Sequence, residues 1–158
     1  EEVAGMRLLA DCLALEMQRL HWYEKTQQAG GTHSSHAAAP PTILIVEDSE
    51  GVRMLLETLI RLEGYEPVVC ESGMEALTFL EAHPVDLVIT DLRMPEVSGW
   101  EVARYAKKRC PGVRLLVVTA SLHEVSREQL RESQIDLALP KPFAIAPLMT
   151  AVSTLLRK

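Results

Sequence analysis

Apolar and polar positions follow two rhythms along residues 42–158. Short apolar runs rich in β-branched or aliphatic side chains read as buried strands: 42–47 (TILIVE), 67–70 (PVVC), 85–90 (VDLVIT), 113–119 (VRLLVVT) and 136–139 (DLAL). Between them the spacing is helical. Val52, Leu55, Leu56 and Leu59 fall at i, i+3, i+4 and i+7, with Gly64 as a C-terminal stop. Leu148, Val152 and Leu155 make a similar stripe in the last segment. Ser72-x-x-Glu75, Ser98-x-x-Glu101 and Ser121-x-x-Glu124 match the capping-box pattern and mark helix starts. His83-Pro84 and Pro111-Gly112 mark two helix ends. Five strands alternating with five helices predict an α/β domain, a parallel sheet with helices on both faces and right-handed crossovers.

The first 28 residues carry a different pattern. Val3, Met6, Leu9, Leu13, Met17 and Leu20 form one stripe, and Leu8, Cys12, Leu15 and Trp22 a second. This predicts an amphipathic helix whose apolar face is wider than a two-stranded seam. Such a face is expected to be covered, and self-association is the favoured reading over packing on the rest of the chain or on an upstream domain. Lys and Arg do not dominate its polar side, which argues against a membrane-surface role. Residues 29–41 (AGGTHSSHAAAPP) hold no Asp, Glu, Lys or Arg and read as a flexible linker. Residues 42–158 are expected to form the compact domain.

Composition narrows the function classes. The 158 residues carry 16 Lys and Arg against 22 Asp and Glu, a formal charge of −6. Clustered basic residues for phosphate contact are lacking, so direct nucleic-acid binding is not expected. No apolar run approaches the roughly 20 residues of a membrane span. No secretory leader is recognisable, and a cytoplasmic location is expected. The chain starts at Glu1 rather than Met, which leaves open whether it is a piece of a longer protein. Cys12, Cys70 and Cys110 are far apart and form no CxxC pair, so reduced thiols are expected rather than a disulfide or zinc framework. His21 (in RLHWYEK), His33 and His36 read as solvated or packing residues, as does Trp100 beside its capping serine.

The chemistry is expected past the carboxyl ends of the strands, where ligands of open parallel sheets collect. The first strand ends in Glu47-Asp48, the third in Asp91, the fourth in Thr119, and the fifth runs into Pro140-Lys141-Pro142. Three carboxylates, a hydroxyl and an ammonium are thus predicted at one edge. Clustered carboxylates repel one another, and a hard divalent cation with oxygen ligands, Mg²⁺, would relieve that. An Asp can act as nucleophile toward phosphorus and form an acyl phosphate, with Lys141 and Thr119 holding the phosphoryl oxygens.

The runs ILIVEDSE (43–50), ITDLRMPEVSGWE, TAS and PKPF, in this order and each behind a strand, resemble the receiver domain of two-component response regulators over residues 42–158. The resemblance implies a flavodoxin-like, doubly wound five-stranded sheet of order 2-1-3-4-5. It implies that Asp91 is the phosphoacceptor and that Glu47 and Asp48 are the acidic pair, Asp48 being the direct Mg²⁺ ligand. It further implies that Arg93 offers its backbone carbonyl to the metal, that Thr119 is the switch hydroxyl and Lys141 the site lysine. Ala120 matches a small residue that leaves room for phosphate, and Lys141-Pro142 a cis peptide. The implied partners are a histidine kinase or a histidine phosphotransfer protein, and a homodimer through the N-terminal helix or a receiver face. The implied setting includes the C-terminal receiver of a hybrid sensor kinase. One position departs from the pattern: three residues before Lys141, where many receivers carry an aromatic ring or His, stands Ala138. A ring-rotation signal cannot pass through a methyl group, so output is expected through dimer contacts or loops near Thr119. A phosphorylation-silent scaffold is the main alternative. Haloacid-dehalogenase-type phosphatases also use a nucleophilic Asp with Mg²⁺, but they resemble a DxD pattern, and here the second position is Arg93.

Overall fold

The computed structural model describes residues 40–157, and one compact unit runs from Pro41 onward. The predicted helix over residues 1–28 and the linker up to residue 39 lie outside the described residues. Five strands, β1 (Ile43–Val46), β2 (Pro67–Cys70), β3 (Leu87–Thr90), β4 (Arg114–Thr119) and β5 (Leu137–Pro140), alternate with five helices. These are α1 (Glu50–Leu62), α2 (Gly73–Ala82), α3 (Gly99–Arg109), α4 (Arg127–Glu132) and α5 (Ile145–Leu156). The sheet order is β2-β1-β3-β4-β5, and every pairing is parallel. This is the flavodoxin-like, doubly wound α/β architecture expected from the sequence.

Strands β1 and β3 are fully buried, as runs without a polar alternation should be. Successive side chains point to opposite faces, so each strand feeds two cores. Ile43, Ile45, Leu87, Ile89, Leu116 and Val118 pack with Leu56, Leu59 and Ile60 of α1 and Leu148, Val152 and Leu155 of α5. The strand residues between them, Leu44, Val88, Leu115 and Val117, are buried on the other face, the side of α2 and α3, whose Phe79, Leu80, Val102 and Ala106 are buried as well.

Three expectations need correction. Leu55 lies outside the core at 44% exposure, and Ile60 takes its place. Turning by 3.6 residues, α1 buries 56, 59 and 60 with Val52 packed alongside, which leaves 55 at the rim. Strand β5 is not a buried strand: Leu137 is 39% exposed and Ala138 half-buried. It is the sheet edge, and its neighbour α4 is six residues long and buries none of them. Finally, Ser121-x-x-Glu124 is no α-helix start. Residues Leu122–Glu124 form a single 3₁₀ turn without a side-chain cap. Helix α4 begins instead at Ser126, whose hydroxyl accepts from Gln129 N while Gln129 Oε1 accepts from Ser126 N. The other two starts stand. Ser98 and Glu101 form a full capping box, and Ser72 accepts from Glu75 N.

Candidate functional site

The register aligns the strand ends that carry the acidic residues. Val46 lies opposite both Cys70 and Thr90, and Thr119 opposite Pro140. The next residues, Glu47 and Asp91, therefore leave the sheet side by side. Glu47 N donates to Cys70 O at 3.1 Å and Asp91 N to Val46 O at 3.2 Å, so the ladder holds both up to the last position.

Asp91 is fixed from below and behind. The Thr90 hydroxyl donates to the Asp91 carbonyl oxygen at 2.8 Å. Gly99 N donates to Leu92 O at 3.0 Å, folding the 91–98 loop back on itself. A Cβ on Gly99 would collide with the Asp91 carbonyl, so only glycine allows α3 to start this close. In the same loop Glu96 takes a left-handed φ of 66°.

The five predicted side chains converge in part. Lys141 Nζ donates to Glu47 Oε2 at 2.6 Å and to Asp91 Oδ2 at 2.8 Å. Glu47 Oε1 accepts from Ser49 N at 3.1 Å, and Asp91 Oδ1 accepts from Arg93 N at 3.2 Å. One carboxylate oxygen each from Glu47, Asp48 and Asp91 lie within 4.8 Å of one another. Glu47 is buried, Asp91 is 9% exposed at the bottom of the mouth, and Asp48 is open to solvent. Ala120 is exposed beside them, and Lys141-Pro142 is cis. Thr119 is buried, but its hydroxyl is engaged elsewhere: it lies 3.1 Å from Ser121 Oγ and accepts from Ser121 N at 3.3 Å. The Arg93 guanidinium pairs with the Glu124 carboxylate.

Burial pushes the Glu47 carboxyl above the usual range, only partly offset by its bonds from Lys141 and Ser49. Burial works against the Lys141 ammonium, but its hydrogen bonds to Asp91 and Glu47 prevail and hold it above the usual lysine value. The cluster keeps its charges in the low-dielectric edge of the sheet because they neutralise one another. Three carboxylates against one ammonium still leave an excess of negative charge. All-oxygen donors with one solvent-open carboxylate suit a hard divalent cation that retains waters.

Two contributors escaped sequence reading. Arg53, on α1, donates from Nη1 to Glu47 O at 3.0 Å and to Asp48 O at 3.4 Å, with Nη2 3.7 Å from Glu71 Oε2. It clamps the backbone that presents the acidic pair. Its only signal is its place one helical turn after Ser49 in an otherwise apolar stripe. Ser121 matches the capping pattern, yet its hydroxyl lies against that of Thr119.

Known proteins are similar to this chain in sequence and in fold. Residues 43–153 match the family model described as the response regulator receiver domain. The chain is 30% identical over 119 residues to the polar-differentiation response regulator DivK of Brucella anthropi, covering 74% of this chain and 97% of that one. It is similar to the response regulator TrrA of Thermotoga maritima, solved in complex with Mg²⁺ and beryllofluoride. That similarity has 34% identity, 73% and 99% coverage and a TM-score of 0.67. It is also similar to the receiver domain of a sensor histidine kinase from Pseudomonas aeruginosa, solved with a magnesium ion in its active-site cleft (26% identity, 73% and 97% coverage, TM-score 0.65). With this sequence match, sheet order and carboxylate cluster, the chain belongs to the response regulator receiver family, signalling domains of two-component systems rather than enzymes turning over external substrates.

Proposed function

We propose that this receiver takes a phosphoryl group onto Asp91 from a phosphohistidine of a histidine kinase or a histidine phosphotransfer protein, with Mg²⁺ in the Glu47–Asp48–Asp91 cluster. The observation that carries the reading is Lys141: its ammonium bridges the buried Glu47 and Asp91, which places one cation among the carboxylates where three strand ends meet. When bound, Mg²⁺ would screen the charge of an incoming phosphoryl group, held by Asp48, Asp91 and the Arg93 carbonyl, with Glu47 behind them.

The chain's own residues do the rest. A carboxylate oxygen of Asp91 attacks phosphorus as the P–N bond to the donor imidazole breaks, and the leaving imidazole nitrogen takes up a proton from solvent. Lys141 stays charged throughout, because its pKa is held up, and moves its ammonium from a bare carboxylate to a phosphoryl oxygen. Ser49 N and Arg93 N keep the carboxylates oriented while that happens. The Thr119 hydroxyl, which accepts from Ser121 N, supplies a further donor. Exposed Ala120 leaves the approach open. The acyl phosphate then shifts the domain between two conformations. Residues 1–28, as an amphipathic helix, are our proposed dimerisation or signalling segment.

Incubation with a small acyl-phosphate donor tests this. The intact mass of the parent gains one phosphoryl group with Mg²⁺ and none with a chelator, while Asp91→Asn gains none in either. A gain in Asp91→Asn would overturn the assignment, and no gain in the parent even with a cognate kinase would leave the silent scaffold.

A further inference from the structure

The three carboxylates of the cluster are not held alike. Glu47 has Lys141 and Ser49 N, and Asp91 has Lys141 and Arg93 N. The Asp48 carboxylate is exposed and has no hydrogen-bond partner among the described residues. Its place therefore depends on the backbone of residues 47–49. Ser49 stands at the N-cap of α1 but gives no side-chain cap, so its hydroxyl does not fix that backbone. Arg53 does. Its Nη1 donates to Glu47 O at 3.0 Å and to Asp48 O at 3.4 Å, and its backbone N donates to Ser49 O at 2.8 Å. One residue thus takes up three successive carbonyl oxygens. The Arg53 side chain is mostly buried, and its Nη2 lies 3.7 Å from Glu71 Oε2, just past the end of β2, which steadies the other arm of the fork.

We infer that Arg53 is a positioning residue for Mg²⁺: by holding the carbonyl oxygens of residues 47–49 it fixes the backbone from which Asp48 reaches the metal. The inference rests on Mg²⁺ occupying the Glu47–Asp48–Asp91 cluster. Two effects of the guanidinium oppose each other. As a cation beside the cluster it repels Mg²⁺ and weakens binding. As a clamp it removes backbone freedom that Mg²⁺ would otherwise have to freeze, and so strengthens binding. The cluster is open to solvent at Asp48, so the repulsion is screened, whereas partners that orient metal ligands are worth about 10- to 100-fold in affinity. The clamp therefore prevails. Arginine suits the place, because a rigid planar fork serves both carbonyls and Glu71 at once, and a single ammonium does not.

The test is calorimetric titration of the metal-free full chain with Mg²⁺, in the parent, Arg53→Met and Arg53→Lys. The clamp predicts that Arg53→Met binds Mg²⁺ about tenfold more weakly. Arg53→Lys keeps the charge without the fork and is expected between the two. Amide exchange at residues 47–49 of the metal-free protein should quicken in Arg53→Met, with no change in β3. Charge alone predicts the reverse, tighter binding in Arg53→Met and parent affinity in Arg53→Lys. A purely structural arginine predicts a lower melting temperature in chelator with Mg²⁺ affinity unchanged. Either of those results overturns the inference and leaves the cluster standing as the Mg²⁺ site. No Mg²⁺ binding in the parent removes that site and the inference with it. Melts in chelator show which variants are folded. If Arg53→Met is not, weaker binding in Arg53→Lys supports the clamp and parent affinity overturns it.

Discussion

The ammonium of Lys141 lies 2.8 Å from Asp91 Oδ2 although fifty positions of sequence separate them. It also holds Glu47 Oε2 at 2.6 Å, so one cation fastens β5 to both acidic strand ends. Removing it leaves buried Glu47 facing Asp91 without compensation. Lys141→Met is expected to destabilise the metal-free protein by about 1–3 kcal/mol, the cost of stranding a buried acceptor. Mg²⁺ should recover part of that loss. Urea denaturation with and without Mg²⁺ measures both.

Glu47 gives the metal-free protein an inverted pH dependence. Its folded pKa is raised above 4.5, so the folded state binds this proton more tightly than the unfolded one. Its stabilising contribution is complete below the unfolded value and is lost as pH rises through the folded value. Glu47→Gln has no such proton. The melting temperature of the parent relative to Glu47→Gln should therefore fall as pH rises above about 4.5. A difference that rises over that range would contradict the burial argument.

Two glycines at helix starts should answer oppositely to alanine. In Gly99→Ala the new Cβ meets the Asp91 carbonyl and the Leu92 backbone, neither of which can yield. A loss of about 2 kcal/mol or more is expected. Gly51 in α1 has open space around its Cβ position. Gly51→Ala should gain about 0.5–1 kcal/mol from the lower backbone entropy of the unfolded chain. Chemical denaturation of the two variants in parallel measures the contrast.

The start of α4 can be tested by its caps. Ser126 and Gln129 exchange side-chain and backbone hydrogen bonds, so Ser126→Ala should cost about 1 kcal/mol. Ser121→Ala should leave amide protection in α4 intact, since Ser121 caps no helix.

The fold was legible because fully buried strands write themselves as β-branched runs, and Ser98 and Ser72 stand where helices begin. The carboxylates were legible because a parallel sheet delivers its strand ends to one edge, which places Glu47 and Asp91 before any side chain is considered. Burial on the flank was not. Sequence shows that 136–139 is apolar, but not that β5 is the edge strand beside a helix that buries nothing. Nor does the Ser121-x-x-Glu124 pattern show that the helix starts five residues later, at Ser126. What decides is a competing partner, the Thr119 hydroxyl, that takes Ser121 out of capping. Arg53 shows the same limit: its ligands are backbone carbonyls, which carry no residue-specific sign.

The central claim is that Asp91 carries the phosphoryl group, and the acyl phosphate can be trapped where it forms. Treatment of the phosphorylated protein with borohydride reduces an aspartyl phosphate to homoserine, and peptide mass mapping then locates it. The account predicts homoserine at position 91 and nowhere else, dependent on Mg²⁺. Homoserine at position 48 or another aspartate, with position 91 unmodified, would contradict it.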